Sequence, residues 1–126
     1  MYRASSPRLA AAALYVAVAI AVGGCGHVAV VGSQRPLTLA LSEYRLNPSD
    51  ARARAGPLTI LAHNYGRMTH NLAVTLNGMF VGVTKPIPSG QSAELMLSLA
   101  PGTYLMTSTL LSDQALGEYG TLTITR

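Results

Sequence analysis

The chain has 126 residues, enough for one domain and no more. Its formal net charge is +4 at pH 7, but two of its arginines, Arg3 and Arg8, fall in an N-terminal leader. The remaining arginines are scattered and have few aromatic neighbours, which excludes a basic stripe for nucleic acid. The single cysteine, Cys25, excludes an intrachain disulfide, so the exported part must rely on its apolar core.

The first 24 residues are typical of a secretory signal. A short basic start precedes an almost wholly apolar run at 9–22, and small residues stand directly before Cys25. Small residues before a lone cysteine resemble the bacterial lipobox, although Val22 stands where leucine is usual. That resemblance implies cleavage before Cys25 and attachment of a diacylglyceryl group to it. Several acyl chains, such as palmitate, would anchor the protein durably in a membrane.

Two other interpretations of this segment stay open. Residues 9–31 are long enough to cross a bilayer of about 30 Å as an uncleaved helix, although the glycines and His27 within it disfavour that state. The second interpretation is a signal that is cleaved without lipidation of Cys25. Each interpretation exports the domain to the bacterial cell envelope. We therefore predict a signal at 1–24, a tether at 25–36 and a folded domain at 37–126.

From Leu37 onward the sequence predicts β-structure. Leu37, Leu39 and Leu41 alternate with smaller or polar residues, as in a half-buried strand. The alternation recurs along the chain, with turn residues between the apolar runs. Residues 78–84 could form a turn of helix or an irregular crossing. Strands are predicted at 37–42, 58–63, 69–76, 93–99, 104–108 and 120–125. This number of short strands is typical of an antiparallel sandwich.

Several segments together resemble the cupredoxins, the blue-copper family. Residues 64–72 (NYGRMTHNL) are similar to its Asn-x-Gly-x-x-x-His-Asn/Glu-Leu signature. Residues 43–48 and 55–60 resemble its first two strands, and the Pro-Gly turns at 88–90 and 101–102 match two of its turns. The resemblance covers about residues 37–125. It implies an all-β, cupredoxin-like antiparallel Greek-key β-sandwich.

The resemblance also implies where a copper site would lie. In the family a histidine at the place of His70 joins a Cys, a His and usually a Met from the C-terminal loop. Those three places hold Ser108, Asp113 and Glu118. A blue-copper site needs two imidazoles and a thiolate, whereas a serine hydroxyl stays un-ionised at neutral pH and carboxylates are hard ligands. We therefore predict no type 1 copper site, and no realignment restores the thiolate because no cysteine follows Cys25.

Two interpretations of these residues stay open. His70 could pair with Asp113 and replace the metal as the link between loops, while Asn71 would help tie its loop to the C-terminal loop, as the resemblance implies. We favour this pairing because one imidazole gives little metal selectivity. Alternatively, His70, Ser108, Asp113 and Glu118 form an altered, oxygen-rich site for copper or another divalent metal such as zinc.

The other candidate sites have weaker support in the sequence. Ser108, His70 and Asp113 could be drawn as a hydrolase triad, but Ser108 lies in a Thr-Ser-Thr context without a Gly-x-Ser-x-Gly elbow. Met68 and Met106 would suit Cu(I), but Met106 on a predicted strand is more consistent with core packing. We therefore predict that the protein is not an enzyme.

The sequence thus predicts a binding or interaction module with no resident cofactor. A lipid anchor would attach it to the membrane. Its loops around His70, Asp113 and Glu118 would bind an unidentified envelope protein or component, since binding residues tend to lie on loops carried by a rigid scaffold. The alternative function is binding of copper or another divalent metal at those same loops.

Overall fold

The computed structural model describes residues 28–32, 35–110 and 113–126, and every regular element among them is a strand. None of the described segments is a helix long and apolar enough to cross a membrane. The predicted signal at 1–24 and the lipidation site at Cys25 lie outside the described residues. The strands are β1 (Val28–Val30), β2 (Leu37–Ser42), β3 (Arg45–Asn47), β4 (Asp50–Arg54), β5 (Gly56–Asn64), β6 (Ala73–Leu76), β7 (Met79–Val83), β8 (Ser92–Leu99), β9 (Gly102–Thr107) and β10 (Tyr119–Thr125).

These strands form two facing sheets. One has six strands in the order β1-β4-β10-β9-β6-β7, and the other has four in the order β3-β2-β5-β8. The predicted all-β sandwich is confirmed. The sheets are mixed, however, where antiparallel sheets were predicted, because β1–β4, β4–β10 and β2–β5 pair in parallel. Alternation along one strand reports which face is buried and carries no information on the direction of its neighbour.

The core lies between the sheets and is built by the predicted alternation. Leu37, Leu39 and Leu41 are buried on β2, and Leu58, Ile60 and Ala62 of β5 are buried beside them. On β9, Tyr104 and Met106 are buried, so Met106 packs in the core as the sequence indicated. Full burial of such side chains contributes about 1.5–3 kcal/mol each relative to exposure, and this has to stabilise the domain without a disulfide.

Four of the ten described strands were not predicted, namely β1, β3, β4 and β7. β4 has charged residues outside and only Ala51 and Ala53 inside, so its apolar signal is small. β7 covers most of the 78–84 segment and is exposed or half-buried throughout, so it shows no alternation. It pairs with β6 through a turn at Asn77 and Gly78, both with positive φ (50° and 80°). Asn-Gly is the sequence favoured in such two-residue hairpin turns.

The third predicted strand is shorter than expected and begins at Ala73 instead of residue 69. The residues before it bond to the segment at 84–87. Leu72 donates its N–H to Thr84 Oγ1 at 3.0 Å, and His70 exchanges two backbone hydrogen bonds with Ile87. The predicted tether is also partly ordered into the fold, because Val28–Val30 pair with β4. The domain boundary itself stays a prediction.

The topology collects several connections at one end of the sandwich. β10 begins at Tyr119, directly after Glu118, and β6 begins shortly after His70. The segments at 43–44, 65–72, 84–91 and 113–118 meet there, and we call this the His70 end. The turn at 77–78 and the link at 100–101 lie at the opposite end.

Candidate functional site

His70 lies at the centre of a fully buried polar cluster. Its Nδ1 is 2.9 Å from Asp113 Oδ2 and 2.9 Å from Glu118 Oε2. All three side chains are at most 1% exposed. The structure therefore brings together residues from the two loops that the sequence singled out.

The loop at 64–70 is shaped to deliver this imidazole. Asn64, at the end of β5, donates its amide to Met68 O at 2.7 Å and to Ile87 O at 2.8 Å. Its Oδ1 accepts the Gly66 N–H at 2.8 Å. One buried amide thus closes the loop on itself and joins it to the 84–87 segment, whose Ile87 pairs with the His70 backbone. The backbone N–H and the backbone carbonyl of His70 are therefore both held by Ile87.

Asn71 contacts the C-terminal loop from the adjacent position. Its Oδ1 accepts the Thr109 N–H at 2.8 Å, and its amide donates to Thr109 Oγ1 at 2.9 Å. Its own N–H points to Ser108 Oγ at 3.3 Å. These contacts lie where the resemblance implied a tie between the loops.

The C-terminal loop folds back so that both carboxylates point inward. The Glu118 N–H donates to Asp113 O at 2.9 Å, and the Asp113 N–H donates to Leu110 O at 2.9 Å. Gly117 adopts a φ of +116°, a conformation that side chains rarely take, directly before Glu118. The Thr107 hydroxyl donates to Glu118 O at 3.0 Å. Glu118 is thus held at the start of β10, facing His70.

Ser108 belongs to the same cluster but does not contact the imidazole as a nucleophile would. Its hydroxyl lies 2.6 Å from Asp113 Oδ2 and 3.2 Å from Asn71 Oδ1. A hydroxyl has one proton, and the shorter contact to a charged acceptor takes it. Asp113 thus separates Ser108 from His70, which is the wrong order for a Ser-His-Asp relay.

Glu43 completes the cluster and was not predicted as a site residue. Its Oε1 accepts the N–H groups of Arg67 at 2.5 Å and Met68 at 2.6 Å, and it lies 3.5 Å from His70 Nε2. A Cβ at Gly66 would lie 2.6 Å from that oxygen, so a larger residue would displace it. The resemblance at residues 43–48 gives Glu43 no role in a site, and its hydrogen-bond partners lie more than 20 residues away in the sequence.

The charges of the cluster are coupled. Burial pushes the pKa of His70 down, but the hydrogen bond to Asp113 and the charges of Glu118 and Asp113 outweigh it and raise the pKa above 6.5. Burial raises the pKa of Glu118 to about 8, against the opposing effect of His70. Hydrogen bonds, first from the Met68 N–H, lower the pKa of Glu43. At neutral pH Glu118 is therefore mostly protonated, and the pKa of His70 is shifted in the direction that favours its charged form.

One imidazole N–H cannot serve both buried carboxyl groups. It makes a hydrogen bond with Asp113, and both Glu118 oxygens are left without a hydrogen-bond partner. Such unpaired buried polar atoms are costly, and they are concentrated in this cluster. Among the described residues, the others are His70 Nε2 and Asp113 Oδ1.

Whether a metal ion fits the cluster depends on the distances between its donor atoms. The ligand atoms of His70, Asp113 and Glu118 lie within 4.8 Å of one another, which is close enough for a shared ion. Tetrahedral ligands at 2.0–2.2 Å from zinc are about 3.4 Å apart, so the two 2.9 Å contacts are too short for ligands that share a zinc ion and would have to open. The set contains no thiolate, so it does not fit a type 1 copper ion.

Comparison with known proteins decides the fold. No protein-family model and no curated protein matches the chain. Among solved structures, a reduced auracyanin from Roseiflexus castenholzii matches with a TM-score of 0.67 at 18% identity, covering 75% of this chain and 100% of that one. The chain has the cupredoxin fold. An azurin from Methylomonas sp. strain J also matches, with a TM-score of 0.63 at 12% identity over 75% of this chain and 100% of its own.

A third match is described as a blue copper protein. Auracyanin A of Chloroflexus aurantiacus has a TM-score of 0.61 at 16% identity, over 72% of this chain and 100% of that one. Identities this low establish the fold alone. The predicted cupredoxin-like architecture is confirmed, and function has to be argued from the His70 cluster.

Proposed function

We propose that this chain is an exported, lipid-anchored cupredoxin-like binding module in which a buried ion-paired cluster stands in place of a blue-copper centre. The observation that carries the proposal is the position of His70 Nδ1, 2.9 Å from both Asp113 and Glu118. The pairing gives His70 Nδ1 a hydrogen-bond partner from the protein and joins the loops that a copper ion would otherwise join. The protein would then present rigid loops to a partner in the cell envelope.

Copper titration of the purified protein tests this function. Adding Cu(II) should produce no intense blue absorption, because that colour needs a copper–thiolate bond and the described cluster offers none. Metal analysis of the protein as isolated should find no stoichiometric copper. An intense blue band, or one tightly held copper ion per chain, would contradict the proposal.

A second candidate function is binding of a divalent metal without blue-copper chemistry. It is favoured by one observation, the three donor atoms of His70, Asp113 and Glu118 within 4.8 Å. Colourless binding of Zn(II) or Cu(II) at micromolar affinity would support it if His70→Ala abolished the binding. His63→Ala is the matched control, because His63 lies on β5 outside the cluster and contacts Ser92. Binding lost equally in both variants would argue against the cluster as the site.

A further inference from the structure

The fold places the start of β1 near the His70 end. β1 runs parallel to β4 with Val28 opposite Asp50, and β4 runs parallel to β10 with Asp50 opposite Thr121. Thr121 is two residues after Tyr119, which opens β10 beside Glu118. The chain therefore enters the sandwich from the end that holds the cluster.

The link to the membrane is short if Cys25 carries the lipid, and this step rests on the proposed function. Three residue steps separate Cys25 from Val28. A chain extends by at most about 3.8 Å per step, so about 11 Å of backbone joins the acylated residue to the first residue of β1. The end of the sandwich next to Val28 is thus held against the bilayer.

Large apolar and aromatic side chains are exposed at this end. They are Tyr44 (41%), Tyr65 (72%), Leu116 (55%) and Tyr119 (54%). Tyrosine is enriched at membrane–water interfaces, where its ring contacts acyl chains and its hydroxyl stays in water. Of the four tyrosines after Cys25, only Tyr104 is buried. The other three contribute little to the core and need another explanation.

Backbone geometry gives independent support at Tyr44. It has a φ of +62°, which is unusual for a bulky residue, since glycine or asparagine is favoured there. The conformation turns the chain between β2 and β3, and the Tyr44 carbonyl abuts Gly117 of the C-terminal loop. A tyrosine at a strained backbone position with an exposed side chain points to a contact with something outside the molecule.

The charges at this end suit a bilayer with anionic headgroups. Arg67 and Lys85 are exposed, and Lys85 is two residues before Ile87, which pairs with His70. Of the nearby acids, Glu43 is engaged by backbone N–H groups, while Asp50 is exposed. Basic groups near an anionic membrane surface are attracted to it.

We propose that the His70 end docks on the surface of the bilayer in which the chain is anchored, with Tyr44, Tyr65, Leu116 and Tyr119 at headgroup depth. The exposed apolar residues of β7 form a competing surface, which includes Met79 and Phe80. β7 is the opposite edge strand of the six-stranded sheet from β1. Met79 and Phe80 directly follow the 77–78 turn, at the end of the sandwich opposite His70, so a bilayer against the His70 end does not reach them.

Single tryptophan reporters test this orientation, because the chain contains no tryptophan. Leu116→Trp and Met79→Trp are both at exposed positions, so neither disturbs the core. Each protein is extracted from membranes and reconstituted in phosphatidylethanolamine–phosphatidylglycerol vesicles with or without brominated acyl chains. The Leu116→Trp protein should lose emission in brominated vesicles and shift to the blue, and the Met79→Trp protein should do neither. Equal quenching, stronger quenching of Met79→Trp, or quenching of neither would overturn the proposal.

A second measurement separates this inference from the anchor on which it rests. The mass of the N-terminal peptide shows whether Cys25 is acylated, and the non-acylated protein can be coupled through Cys25 to maleimide-lipid vesicles. An unmodified Cys25 with quenching of coupled Leu116→Trp would remove the lipoprotein assignment and support the docking face. An acylated Cys25 without that quenching would keep the anchor and remove the face. Absence of quenching in pure lipid would remove the bilayer as the partner of the His70 end and favour an envelope protein there.

Discussion

Glu118 makes the cluster sensitive to pH. Its folded-state pKa of about 8 lies above the usual 4.5, so between these values the folded chain holds a proton that the unfolded chain releases. The stability contributed by this proton is fully present below pH 4.5, falls as the pH rises through the window, and levels off above 8. One proton corresponds to at most about 1.4 kcal/mol per pH unit. The raised pKa of His70 acts in the same direction above pH 6.5.

Glu118→Gln should flatten this dependence. Glutamine keeps the size of the protonated acid but cannot ionise, so the buried charge that forms near pH 8 is removed. We expect a variant at least as stable as the parent at pH 7 and more stable at pH 9, measured by urea unfolding at several pH values. Glu43 does not affect this comparison, because its lowered pKa changes the stability of the domain only as the pH falls below 4.5.

Glu94→Gln is the matched control. Glu94 is exposed on β8, outside the cluster, so its replacement should leave the pH profile of stability unchanged. If Glu118→Gln kept the parent slope, Glu118 would not hold the extra proton. The assignment of the cluster's charges would then have to change.

The structure shows one residue of the cluster, Glu43, that the sequence did not predict. His70, Ser108, Asp113 and Glu118 could be placed together because the resemblance aligned each with a ligand position. Glu43 could not, since it reaches His70 from the turn after β2 and is held there by backbone groups of a distant loop. Such a contact forms only in the folded chain and gives the sequence no recognisable residue spacing.

Among the elements, the junction between β4 and β10 is the most crowded. A Cβ at Gly120 would collide with Ser49 O and lie 3.0 Å from Leu46 Cδ2. That carbonyl accepts the Thr121 N–H at 2.7 Å, which helps to close the parallel pair. Gly120 is therefore required where two backbones approach closely.

Gly120→Ala should destabilise the domain by about 1–3 kcal/mol, the usual cost of overpacking, because backbone must move. The measurement is the midpoint of urea unfolding. Gly32→Ala is the control, since a Cβ there meets nothing within 4 Å, and it should have little effect. Equal midpoints for the two variants would show that the β4–β10 junction tolerates the added methyl group.

The same elements show what local patterns can predict. The leucines of β2 and the alternation along β5 and β8 identified strands, because one face of each meets the core. β4 was missed because only two alanines point into the core from its inward face. β7 was missed because both of its faces are exposed or half-buried, so the sequence shows no alternation. Parallel pairing of β4 with β10 joins segments about 70 residues apart, a relation that no local period contains.

At the scale of the whole molecule, the cupredoxin fold persists although its usual ligands are absent. Two sheets with a continuous apolar core position the loops at the His70 end. The cluster adds a link between those loops through protein atoms alone. The fold is therefore separable from the type 1 ligand set, and the ligand positions should still converge if the ligands were returned.

Restoring the ligands tests that separability. In a Cys25→Ser background, the combined substitutions Ser108→Cys, Asp113→His and Glu118→Met supply the thiolate, second imidazole and thioether that blue copper requires. The present side chains at these places already meet, with Ser108 Oγ 2.6 Å from Asp113 Oδ2 and His70 Nδ1 2.9 Å from Glu118 Oε2. We expect an intense blue absorption on addition of Cu(II). Ser108→Cys alone should lack it, because both carboxyl groups remain. A triple variant that folds and binds copper without the blue band would show that the loops no longer hold the geometry of the site.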